Sequence, residues 1–134
     1  MEPAPRALPK VTLRLLPEEY AVCKFGPDAP IPAFPRAIGM ASMTITDQEI
    51  SIVCAASIAP AGAEVEVGWR AFYAGGPIAF GLTGVVASLV DPLAASKLPV
   101  FVISTFDGDL LLVRGESLPL ALQLLIAAGH SIAP

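Results

Sequence analysis

The chain has 134 residues, enough for one domain or two very small units sharing a core. Hydrophobic residues make up 54% and charged ones 15%, which excludes disorder and supplies more apolar surface than a monomer usually leaves exposed. Net charge is −4, and Lys97 and Arg114 are the only basic residues after Arg70, so the clustered cations of a nucleic-acid surface are missing.

The apolar runs Ala79–Val90 and Leu118–Gly129 fall short of the roughly 20 residues a spanning helix needs. Met1–Pro5 offers no basic region leading into an apolar stretch, so the expectation is a cytoplasmic protein with no membrane partner. Cys23 and Cys54 sit in apolar runs without a CxxC spacing, and His130 is the single histidine. Too few ligands are present for zinc, and both thiols read as buried.

Eight of the fourteen prolines precede residue 36, and no long helical pattern occurs there. After an extended tail, Val11–Leu16 and Tyr20–Phe25 read as strands broken by Pro17, and Gly26–Pro35 as a loop. Met40–Thr46 and Glu49–Cys54 suggest a hairpin around Asp47-Gln48. After a weak connection over Ala55–Gly62, Glu64–Tyr73 reads as a strand with Val65, Val67, Trp69 and Ala71 on one face.

Leu82, Val85, Val86, Leu89 and Leu93 have the spacing of an amphipathic helix. Pro92 lies within it and cannot bond the Ser88 carbonyl, which predicts a kink or an early end. Val100–Phe106 and Leu110–Val113 are apolar strands, and Asp107-Gly108 between them predicts a type I′ turn. Ser117 reads as the N-cap of a last helix, with Pro119 in its first turn and Gly129 as its stop. His130 reads as a helix-end residue favourable to the dipole, and His130–Ala133 as a closing strand.

The order from Glu64 is therefore β-α-β-β-α-β. The expected fold is α+β and ferredoxin-like, a four-stranded antiparallel sheet with both helices on one face. The first half reads as a degenerate copy, giving two tandem units divided as 1–63 and 64–134.

That topology brings two loops to one end of the second unit. One, Phe80–Gly84, leads into a helix N-terminus whose N–H groups over Leu82, Thr83 and Gly84 attract a carboxylate. Gly81 and Gly84 let a ligand approach the backbone. The other loop offers Thr105, Phe106 and Asp109, and an acidic group beside a carboxylate-binding helix end suits the ammonium of an amino acid. Asp107 is assigned to the turn itself. No nucleophile–base set, P-loop or Gly-x-Ser-x-Gly spacing occurs, so no enzyme and no cofactor is expected.

The runs Trp69–Ala71, Phe80–Leu93 and Val102–Val113, with Ile-Ser-Thr-Phe-x-x-Asp at Ile103–Asp109, resemble small bacterial tandem ACT-domain proteins. They are similar also to the ACT repeats of the CASTOR arginine sensors. Leu15–Tyr20 resembles the N-terminal half of the same proteins. The resemblance implies a regulatory protein that binds a free amino acid between ACT units, touching Gly81, Thr83, Gly84, Thr105, Phe106 and Asp109. It implies a homodimer too, since this chain is half the length of those sensors. The competing expectation is an interaction module that kept the fold and lost the ligand. An acylphosphatase-like enzyme needs an Asn partner, and the chain contains no Asn.

Overall fold

The computed structural model describes residues 8–33, 38–75 and 83–134. Its strands are β1 (Thr12–Leu15), β2 (Tyr20–Phe25), β3 (Ser42–Ile45), β4 (Ile50–Ala55), β5 (Glu64–Ala74), β6 (Val100–Ser104), β7 (Asp109–Arg114) and β8 (Ser131–Ile132). The helices are α1 (Val85–Ala95) and α2 (Leu118–Ala127). The protein is α+β, with eight strands in one sheet among the described residues.

β5 is the hub, because its 11 residues are long enough to take three partners. One edge pairs antiparallel with β2 along its first half and with β1 along its second. The other edge pairs antiparallel with β7, which pairs in turn with β6. On the far side β2 pairs with β4 and β4 with β3. A strand plus hairpin (β2, β3–β4) thus lies against a second strand plus hairpin (β5, β6–β7).

The closing strand differs from the ferredoxin expectation. β8 pairs parallel with β1 and not with β5, because β1 occupies the β5 edge that the last strand would have used.

The alternation along β5 is also interrupted. Trp69 pairs with Tyr20 but Glu66 with Val22, so one extra residue enters β5 near Gly68. Gly68 has φ +85, a value that side chains resist and a bulge requires. The bulge moves Val65 and Val67 off the face of Trp69 and Ala71 and leaves both exposed, correcting the single-face reading.

One face of the sheet carries α1 and α2. Leu13, Phe72, Leu89, Leu93, Leu111 and Leu125 form its core there, each worth about 1.5–3 kcal/mol of burial. Beside it on the same face, Ala21, Cys23, Ile50, Ile52 and Cys54 are covered by partly buried residues such as Phe25, at the end of β2, and Ala29, Ile58 and Ala59 from the connections. The opposite face packs Tyr20, Val53, Trp69, Leu110 and Leu112, with Phe101 edge-on to Trp69 at 6.3 Å between centroids. β3 and β6 are far apart in strand order yet line one groove, so the sheet curls around this second core.

α1 runs through Pro92 to Ala95 and does not stop early. The Ser88 carbonyl that Pro92 cannot serve lies 2.9 Å from His130 Nε2. His130 Nδ1 accepts the Val11 N–H at 3.1 Å, so Nε2 carries the proton and donates to Ser88. His130 is buried and ties β1, α1 and the end of α2 together, a different role from the expected dipole contact. Ser117 stands at the N-cap of α2 without a side-chain capping bond, and Pro119 occupies its first turn.

Candidate ligand-binding site

β5 ends at Ala74, and Ala74 pairs across the sheet with Asp109, the first residue of β7. α1 begins after the loop that follows β5, so its N-terminus stands at the same end of the sheet as Asp109. Asp109 shares a face with Leu111 and Val113, which pack under the helices, and it is only 8% exposed. A buried carboxylate needs hydrogen bonds. Ser104 supplies one, its Oγ donating to Asp109 Oδ1 at 2.5 Å across the β6–β7 pair.

At the head of α1, Gly84 is the N-cap with φ +84, and its carbonyl accepts the Ser88 N–H at 2.8 Å. Among the described residues no side chain caps this end, and the first turn holds no acidic residue. The N–H groups and the positive dipole end of such a helix start attract an anion. Leu8 and Pro9 lie so close that a Cβ on Gly84 would sit 3.2 Å from both. The segment leading into β1 thus crosses the start of α1, a part of the site that sequence reasoning missed.

Thr83 and Gly84 are brought to this end together with Asp109, and Thr83 is exposed. Gly81 and Leu82 lie outside the described residues. Thr105 closes the β6–β7 hairpin: its N–H donates to the Gly108 carbonyl at 2.8 Å, and its hydroxyl engages the Gly108 N–H at 3.2 Å. The loop is the four residues 105–108, and neither Asp107 nor Gly108 has the positive φ of a type I′ turn, which corrects that expectation. The β3–β4 hairpin is built alike, with Thr46 donating to Glu49 at 2.9 Å and its hydroxyl receiving the Gln48 and Glu49 N–H groups. Phe106 projects from the loop tip, 75% exposed.

No group of three or more metal-ligating side chains occurs among the described residues. No helix among them is long and apolar enough to cross a membrane. Sequence reasoning missed Ser104, whose signal is that of a polar residue directly opposite Asp109 in the hairpin.

This arrangement of sheet, helix start and hairpin matches a known family. An ACT-domain model matches residues 64–127, and a second model, for an N-terminal domain, matches residues 18–61. Protein Atu0741 of Agrobacterium tumefaciens is 41% identical, with 93% of each chain covered and a TM-score of 0.86. The chain is an ACT-domain protein of the Atu0741 family. Protein VC0802 of Vibrio cholerae, described as of unknown function and a possible transport protein, is 20% identical over 87% of this chain and 88% of its own, with a TM-score of 0.66. The ligand-free regulatory subunit of aspartate kinase from Thermus thermophilus is 12% identical, covering 84% of this chain and 93% of that one, at a TM-score of 0.56. At such identities the likeness is one of fold. A comparison with curated proteins returns no match.

Proposed function

We propose that this ACT-domain protein is a non-catalytic regulator that binds a free amino acid at the head of its second unit. ACT domains generally bind amino acids for regulation, and regulatory parts of aspartokinases share the fold. The observation that carries the reading is the pairing of a buried carboxylate, Asp109, with the uncapped start of α1 at one end of the sheet. In the proposed pose the ligand carboxylate meets the N–H groups of Leu82, Thr83 and Gly84, with Gly81 allowing close approach. Asp109 accepts from the ammonium or a cationic side chain, while Thr105 and Phe106 form the outer wall.

We read the chain as two sequence units, 1–63 and 64–134, in a cytoplasmic homodimer whose second copy helps to cover the site. The two Thr-closed hairpins support the repeat. The exposed Leu120 and Ile126 on α2 are the apolar surface that dimerisation would bury. A thermal-shift screen of the common amino acids tests the function. A true ligand at 100 times its Kd stabilises the fold by about 2.7 kcal/mol. Silence from every amino acid would favour an interaction module that has lost its ligand.

A further inference from the structure

On the helix-free face, away from Asp109, a cavity of about 420 Å³ opens between the first unit and the second. Leu16, Met40, Tyr73 and Leu110 form its apolar lining, and Arg14 and Glu18 supply one charge of each sign. The guanidinium of Arg14 lies over the Tyr73 ring at 5.6 Å, so the ring holds it in place. Glu18 is held from the other side, where the buried Tyr20 hydroxyl donates to its Oε2 at 3.3 Å. The same hydroxyl accepts the Met40 N–H at 3.1 Å. A Cβ at Gly39 would collide with that hydroxyl, so glycine is what lets this wall close.

Arg14 and Glu18 are not paired with each other. The ion pair within 4 Å among the described residues joins Arg114 and Glu116 instead. Opposite charges that line one cavity without neutralising each other suit a ligand that carries both. The volume falls within the roughly 300–1,000 Å³ usual for small-molecule sites.

We propose that this cavity is a second binding site, independent of the one at Asp109, for a zwitterionic α-amino acid. Its carboxylate engages Arg14, its ammonium engages Glu18, and its side chain lies on Met40, Leu16 and Leu110.

Methionine methyl groups give a local readout, because Met40 lines this cavity while Met43 lines the separate groove between β3 and β6. Protein carrying 13C-methyl methionine is titrated with each common amino acid to millimolar concentration, as wild type and as Asp109→Asn, Arg14→Gln and Glu18→Gln. The proposal expects at least one amino acid to move the Met40 signal saturably, in wild type and Asp109→Asn alike. Affinity should fall about tenfold or more in each of Arg14→Gln and Glu18→Gln, since each removes a charge-assisted bond. The N-acetyl and carboxamide forms of the same amino acid should bind correspondingly weakly. A Met40 signal unmoved by every amino acid overturns the site. So does a response that survives either pocket substitution, or one that Asp109→Asn abolishes. Because the Asp109 variant is carried in parallel, failure here and failure at the head site read out separately.

Discussion

His130 answers two backbone groups at once, the Val11 N–H and the Ser88 carbonyl, at 4% exposure. Replacing it with Ala orphans both, and at about 1–3 kcal/mol per buried unsatisfied group the loss should reach about 2–6 kcal/mol in urea unfolding. Pro92→Ala supplies an N–H to the same Ser88 carbonyl. The double variant should therefore lose less than the sum of the two singles, and strict additivity would dismiss the coupling. The two thiols give a pH prediction. Burial, with the neighbouring Cys54, pushes the Cys23 thiol up to about 11, and burial raises Cys54 as well. A thiol whose folded pKa lies above its unfolded value stabilises the fold fully below the unfolded value and loses that contribution as pH rises. Stability should thus decline between the ordinary thiol range and about 11, and a Cys23→Ala, Cys54→Ala variant should show a shallower decline. At this scale Asp109 stood out in the sequence because a charge opens an apolar strand. The partnership of His130 with Ser88 did not, because a contact spanning 42 residues leaves no local pattern.

Both helices end the same way, with different residues in the critical position. At the end of α2, Gly129 has φ +100, and the N–H groups of Gly129 and His130 bond the carbonyls of Ile126 and Leu125. At the end of α1, Lys97 takes φ +60, and the N–H groups of Lys97 and Leu98 bond Ala94 and Leu93. A side chain in the left-handed region costs about 1–2 kcal/mol. Lys97→Gly should therefore raise stability by about 1 kcal/mol and Gly129→Ala lower it by a similar amount, as thermal unfolding would show. Equal melting points for Lys97→Gly and wild type would contradict the cap assignment. Helices and hairpins were legible because spacing and turn chemistry are local. The bulge at Gly68 carried a signal too, a lone glycine inside an alternating strand, but its consequence for Val65 and Val67 depends on the register with β2.

Across the molecule, β1 falls within the proposed first unit but supplies a strand to the sheet beneath α1 and α2. No local pattern could announce this, since the choice between β1 and β8 for the β5 edge is a competition between distant segments. A fragment of residues 64–134 would lack β1 and β2 and leave both β8 and the whole of one β5 edge unpaired. It should show no cooperative unfolding alone and regain it on addition of residues 1–63; cooperative melting of the isolated fragment would mean that β1 is dispensable. The proposed homodimer predicts about twice the 13.8 kDa chain mass by light scattering at micromolar concentration.

Isothermal titration calorimetry on wild type and Asp109→Asn tests most directly whether Asp109 is the acceptor for an amino-acid ligand. The substitution keeps shape and the Ser104 contact while removing the charge. A charge-assisted hydrogen bond is worth roughly 1.5–3 kcal/mol, so affinity for the amino acid found by thermal shift should fall by about one to two decades with the melting point little changed. Equal affinities in the two proteins would remove Asp109 from the site and contradict the account.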